Sequence, residues 1–252
     1  MRDAIGIMDS GVGGISVLRK AVELLPHENF IYYGDNANAP YGPRPLEEIR
    51  TLCAEAIGQL LNRDVKALVI ACNTATSAYA SILRATATMP VIGMEPAVKP
   101  ASLARSSGGK VLALATRATL SLEKFSRLMD DYGEGVIPVE GTGLVELVEA
   151  GKADSPETRK ALSAIFAPYR NEQIDGIVLG CTHYPFLRRQ IENFFPNAQI
   201  FDGLEGTVRQ LSRRLDETGR RTTQSGPGSV ELLTSGGEEN LALMRMLFHS
   251  DI

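Results

Sequence analysis

The feature that most restricts the fold of this chain is an alternation. Short β-branched or apolar runs are followed by longer amphipathic ones nearly from end to end. Strand-like runs fall at 4–9, 30–34, 67–72, 110–116, 135–140, 176–181, 198–202 and 229–234, and helical periodicity at 15–25, 46–62, 75–86, 120–131, 156–167, 186–195 and 206–217. The run Ala67-Leu68-Val69-Ile70-Ala71 is apolar on both faces, as in a parallel strand covered by helices on either side. Together these patterns predict an α/β fold of doubly wound parallel sheets. Residues 218–229, with Gly219, Gly226, Pro227 and Gly228, read as a flexible loop, after which a strand and a helix return to the first half.

In such folds ligands sit beyond the carboxyl ends of the strands. The segments found there are Asp9-Ser10-Gly11-Val12-Gly13-Gly14, Gly34-Asp35, Cys72-Asn73-Thr74, Thr116-Arg117-Ala118-Thr119, Glu140-Gly141 and Cys181-Thr182-His183. Val69-Ile70-Ala71-Cys72-Asn73-Thr74 parallels Val178-Leu179-Gly180-Cys181-Thr182-His183. An earlier strand ends at Asp9, 63 residues before the first cysteine, and another at Thr116, 65 before the second. Two pairs at matched spacing predict two pseudo-symmetric α/β domains, 1–97 plus 208–252 and 98–207, with Cys72 and Cys181 approaching one cleft from opposite sides.

A chain of 252 residues can build one large or two modest cores. Its formal net charge of −4 argues against nucleic acid as a partner and requires that an acidic substrate be held by local donors. No run approaches the roughly 18 apolar residues that span a bilayer, so no membrane role is expected. Met1-Arg2-Asp3 leads directly into a strand-like run without a signal peptide's form, which predicts a cytoplasmic protein. Its three cysteines are then reduced thiols, and no spacing predicts a metal site.

Cys53 lies inside a helical run without polar company and reads as structural. Cys72 and Cys181 differ, although a strand-end cysteine is commonly a small buried filler. A helix N-terminus or an imidazolium lowers a thiol's pKa, and both are available: Thr74 and Tyr184-Pro185 stand where helices should begin, and His183 follows Cys181. Two opposed thiols suit proton transfer from one face of a carbon to the other, one acting as base and the other as acid. Enantiomers are equal in energy in water, so each thiol must serve as base in one direction. Asp9 is placed to tune or relay the Cys72 proton. The glycine-rich turn after it reads either as a tight turn or as an anion cradle of backbone N–H groups. Tyr41-Gly42 sits in a turn-rich loop able to close over a ligand, while Asn73, Thr74 and Thr182 are donors for carboxylate and ammonium groups or helix caps.

Asp9-Ser10-Gly11-Val12-Gly13-Gly14, Gly34-Asp35 with Pro40-Tyr41-Gly42, Ala71-Cys72-Asn73-Thr74-Ala75, Glu95-Pro96-Ala97-Val98-Lys99-Pro100 and Gly180-Cys181-Thr182-His183-Tyr184-Pro185 together resemble the glutamate racemase family across essentially the whole chain. The resemblance implies a two-base racemase of L- and D-glutamate that serves peptidoglycan synthesis, uses no cofactor or metal, and forms a homodimer. Cys72 would be the base toward D-glutamate and Cys181 toward L-glutamate, with Asp9 and His183 as auxiliary acid/base residues. Ser10, Tyr41, Gly42, Asn73, Thr74 and Thr182 match substrate contacts. Thr116 and Thr119 match positions near the distal carboxylate, and Glu149 a further polar position. Departures are Asn36 and Asn38, where a Ser/Thr and a basic residue are usual, Gly203 after Asp202, and Gly141-Thr142 near an expected Cys-Pro. The N-terminal extension tied to nucleotide-precursor activation in some relatives is not expected. The competing readings are an aspartate racemase or related two-cysteine isomerase, a thiol hydrolase using Cys181 and His183, and a non-catalytic binding protein for an acidic amino acid.

Overall fold

The computed structural model describes residues 3–250. The reading of Met1-Arg2 and the two ends of the expected first domain, 1–2 and 251–252, lie outside the described residues. The first half runs β1 (Ile5–Asp9), α1 (Ile15–Leu24), β2 (Phe30–Gly34), α2 (Leu46–Leu61), β3 (Ala67–Ile70), α3 (Asn73–Arg84) and β4 (Val91–Gly93). The second runs α4 (Val98–Ala104), β5 (Lys110–Ala115), α5 (Arg117–Ser121), α6 (Glu123–Tyr132), β6 (Val136–Glu140), α7 (Leu144–Glu149), α8 (Pro156–Phe166), β7 (Ile174–Leu179), α9 (Arg188–Phe194) and β8 (Gln199–Asp202). The chain then returns through α10 (Leu204–Glu217), β9 (Val230–Thr234) and α11 (Glu238–His249).

All pairings are parallel, in a five-stranded sheet of order β4-β3-β1-β2-β9 and a four-stranded sheet of order β6-β5-β7-β8. Setting β1 against β5 brings β2, β3 and β4 onto β6, β7 and β8 in the same order, with β9 added at one edge. Cys72 therefore follows β3 as Cys181 follows β7, and Asp9 ends β1 much as Thr116 follows β5. Strand order reverses at β1 and β5, so a crevice opens beside each pair of strand ends.

Burial on both faces explains the apolar strands. Ile5 and Ile7 of β1 join Ile15, Leu18 and Leu211 of the helices on one side. Met8 joins Ile49 and Ile57 of α2 and Ala75 and Leu83 of α3 on the other. This is the period-two alternation of a strand. In the second sheet Leu112 and Leu114 belong with Leu144, Val148 and Phe166, and Val111 and Ala113 with Val98 and Phe125. One apolar cluster is continuous through both halves. Cys53 is fully buried in the α2 face.

Several local readings are corrected. The predicted helix 120–131 is two helices, because Leu122 is extended (φ −85°, ψ 143°) between α5 and α6. The predicted helix 186–195 begins as a single 3-10 turn, Tyr184–Leu187, with Pro185 inside it. β4, α4 and α7 had no expected counterpart; three, seven and six residues are too short for a periodic signal. The segment 218–229 lacks regular structure but is fastened: Thr222 N donates to Glu28 Oε1 (2.9 Å) and Gly228 N to Pro26 O (2.8 Å). Beyond it, β9 pairs with β2, and α11 packs on α1 and β9.

Candidate active site

Cys72 and Cys181 line one narrow cavity of about 20 Å³ between the halves. Ser10, Tyr41, Gly42, Asn73, Thr74, Thr116, Thr119, Thr182 and His183 line it as well. Asp9 and Glu149 stand behind this wall rather than in it. The cavity holds about one water, so an amino acid enters only when the cleft widens. It adjoins a vestibule of about 520 Å³ that shares Pro40, Gly42, Thr116 and Val145 with it.

On one side, Cys72 is the N-cap residue of α3, and its Sγ accepts from Ala75 N at 3.5 Å and from Ser10 Oγ at 3.4 Å. The cap was expected of Asn73 or Thr74, and α3 was expected to lower the thiol's pKa. Instead, burial pushes Cys72 up to about 12, the Asp9 charge adds to this, and the Ser10 and Ala75 bonds oppose it. Desolvation of the thiolate outweighs two long hydrogen bonds to sulfur. Asp9 is itself pushed up to about 6 by burial, against the lowering effects of His183, Thr182 and Gly11. Its carboxylate accepts from Gly11 N (3.0 Å) and Thr182 Oγ1 (3.0 Å), so Asp9 acts on Cys72 through its charge and reaches into the Cys181 side by a hydrogen bond.

On the other side, Cys181 Sγ lies 3.6 Å from His183 Nδ1, and His183 Nε2 lies 2.6 Å from Glu149 Oε1. Burial works against the His183 imidazolium, but the bonds to Cys181 and Glu149 prevail and hold its pKa well above the usual range. Burial likewise disfavours the Glu149 carboxylate. The bonds from His183, Val12 N and Asn36 outweigh it and keep Glu149 below the ordinary glutamate value. The pair is therefore imidazolium and carboxylate at neutral pH.

The same contacts explain the glycine-rich turn. Val12 N donates to Glu149 Oε1 at 2.7 Å, so the anion it receives is a side chain of the opposite half. A methyl group at Gly11 would overlap the Glu149 carboxylate, and one at Gly13 would strike His183 and Thr182. These positions lack a Cβ because the second half approaches the backbone there.

Uncharged donors fill the remaining wall. Thr74 Oγ1 lies 3.3 Å from the hydroxyls of both Thr116 and Thr119, and Thr116 Oγ1 donates to Thr119 Oγ1 at 3.0 Å. Thr116 also caps α5. Both polar atoms of the Asn73 side chain are buried without a hydrogen-bond partner among the described residues, an arrangement that a polar ligand would satisfy. The Tyr41 hydroxyl is already engaged, donating to Asp35 Oδ2 at 2.6 Å, while Ser235 Oγ donates to Asp35 Oδ1 at 2.6 Å. Asp35 thus ties the Tyr41-Gly42 loop to the end of β9. Neither Asp35 nor Asn36, which bonds Glu149, was singled out as a functional residue from the sequence. Asp35 stood there as a strand-end acid, the one available signal. Val145, an apolar wall residue, had none.

The family of Asp/Glu/hydantoin racemases matches residues 5–211. A glutamate racemase from Clostridium perfringens (strain SM101 / Type A) is 48% identical over 235 residues, 92% of this chain and 90% of its own length. The crystal structure of a glutamate racemase from Thermus thermophilus in complex with β-chloro-D-alanine aligns with TM-score 0.78 at 35% identity, over 97% of this chain and 92% of the other. That of Escherichia coli glutamate racemase in complex with L-glutamate and the activator UDP-MurNAc-Ala aligns with TM-score 0.84 at 28% identity, over 98% and 96%. No helix among the described residues is long and apolar enough to cross a membrane.

Proposed function

Because the chain belongs to the Asp/Glu/hydantoin racemase family, we propose that it is a glutamate racemase in which Cys72 and Cys181 exchange the α-proton from opposite faces. The observation that carries this reading is the meeting of two thiols, from equivalent strand ends of two related halves, in one cavity. No metal or cofactor has a part in it. The product D-glutamate serves peptidoglycan synthesis, and the working state is a cytoplasmic homodimer. The domain division is 1–97 plus 208–252 against 98–207, with the site between.

The geometry supports a division of labour. Cys72, holding its proton, is the acid that reprotonates the carbon on the D face. Cys181 takes the proton from L-glutamate, and the adjacent His183 imidazolium and Glu149 carboxylate manage the charge that follows. In the reverse direction Cys72 must lose its proton. The substrate's ammonium, entering beside a buried thiol, brings it a positive charge, while Ser10 steadies the sulfur. Asn73 and Thr182 contact the α-carboxylate and ammonium, and the hydroxyls of Thr74, Thr116 and Thr119 receive the distal carboxylate. The developing carbanion is stabilised by donors already in place.

Circular dichroism of L-glutamate with the purified protein tests this reading. Decay of the signal to zero without added cofactor, with deuterium entering the α-carbon in heavy water, is the expected result. Decay with L-aspartate alone would change the substrate and retain the chemistry. Cys72→Ser and Cys181→Ser should each lower the rate by roughly 10²-fold or more, since a positioned acid or base supplies ~10²–10⁴. Near-normal racemisation by either variant would sink the two-base assignment. Cys181, His183 and Glu149 also form the series a thiol hydrolase uses; a trapped acyl-enzyme would redirect the reading there.

A further inference from the structure

Asn36, one of the departures noted in the sequence, is bonded to the Cys181 side of the site from the opposite half. Its Nδ2 donates to Glu149 Oε2 at 2.9 Å, and its Oδ1 accepts from Thr234 Oγ1 at 2.8 Å. The Thr234 hydroxyl oxygen in turn accepts from Gly236 N at 2.9 Å, which anchors the series at the end of β9. The other Glu149 oxygen receives Val12 N and faces His183 Nε2. A carboxylate turns readily about its terminal bond, and here the amide retains one oxygen so that the other stays on the imidazole. Between Thr234 and a carboxylate the primary amide accepts on one side and donates on the other.

We propose that Asn36 is a positioning residue for proton transfer at Cys181, holding Glu149 so that His183 stays aligned with the thiol. The inference rests on the racemase reading. It predicts a one-sided effect, because Asn36 is bonded to the Cys181 partners and the Cys72 thiol is held by Ser10 and Ala75.

The equilibrium constant is one, so kcat/KM for the two enantiomers stays equal in every variant. What shifts is which of the two proton transfers limits the rate. If the Cys181 step is slowed, abstraction from L-glutamate limits kcat/KM and expresses its primary isotope effect more fully. Abstraction from D-glutamate at Cys72 then ceases to limit, and its isotope effect falls toward unity.

The test compares kcat/KM for α-protio and α-deuterio L- and D-glutamate in wild type, Asn36→Asp and Thr234→Val. Asn36→Asp keeps the shape and the acceptor for Thr234, removes the donor to Glu149 and adds a like charge. Its kcat/KM should fall roughly ten- to a hundredfold, a part of the ~10²–10⁴ that a positioned acid or base supplies. Its isotope effect should rise for L-glutamate and fall for D-glutamate. Thr234→Val, which loosens Asn36 without touching Glu149, should shift both in the same directions by less, and it carries the readout if Asn36→Asp does not fold. A fall in kcat/KM with both isotope effects unchanged, or moving together, would reduce Asn36 to a structural role. A wild type that does not racemise glutamate would remove the activity and this inference together; wild-type turnover with symmetric variants would remove only the inference.

Discussion

Cys72 keeps its proton because burial and the Asp9 charge both disfavour the thiolate. Alkylation by iodoacetamide should therefore be slow at Cys72 at pH 7 and still climbing beyond pH 9, followed by peptide mass spectrometry; a plateau below pH 8 would mean that a thiolate is already formed. Asp9 makes an opposite kind of test. Its folded pKa of about 6 exceeds the ordinary aspartate value of 3.8, so the native state binds the proton more tightly than the unfolded one. Stability from this group is lost as pH rises through that window, at about 1.4 kcal/mol per pH unit at most. Asp9→Asn should be more stable than wild type by about 3 kcal/mol above pH 7 in urea unfolding and no more stable below pH 4, while losing activity. Parallel pH dependence in the two proteins would contradict the shift. At this scale the sequence showed which residue types stand at strand ends. It did not show their protonation, because burial sets that, and burial is not local. The thiol expected to be acidified by α3 is the case in point.

Among the elements, the two short helices beside the cleft, α5 and α7, supply side chains to the wall and to the layer behind it that their lengths hide from periodicity. α5 is five residues long and α7 six, yet the first presents Thr119 and the second Glu149. Thr119 is buried among the hydroxyls of Thr74 and Thr116. Thr119→Val keeps its volume and removes one donor, so KM for glutamate should rise several-fold, as loss of a hydrogen bond of about 1 kcal/mol implies, with a smaller change in kcat. A fall in kcat alone would take the distal carboxylate away from this cluster. The long amphipathic helices and the both-faces-apolar strands were legible within a few residues, since a buried stripe or face repeats often enough to be read. The break at Leu122 was not, because the chain's apolar pattern continues across it while the backbone does not.

For the molecule as a whole, the return of the chain through 218–249 completes the first half, and a buried ion pair helps to secure it. Lys66 Nζ lies 2.7 Å from Glu28 Oε2, both side chains being nearly inaccessible, and the other Glu28 oxygen accepts from Thr222 N. Among the described residues, Glu28→Ala leaves Lys66 with only the more distant Asp3 carboxylate at 3.7 Å. It should lower stability by about 3 kcal/mol in denaturant unfolding, since removing one partner strands a buried charge, and should leave kcat of the folded protein unchanged. A loss below about 1 kcal/mol would mean that water reaches the lysine. The sequence by itself determined the alternation, the duplication and the chemical types at the strand ends, because periodicity and spacing are properties of neighbours along the chain. Only the tertiary structure decided that Thr182 bonds Asp9, 173 residues away, that Asn36 bonds Glu149, 113 away, and that a glycine turn cradles the protein's own carboxylate. Those outcomes depend on distance and desolvation between residues that meet only when the two halves close on each other.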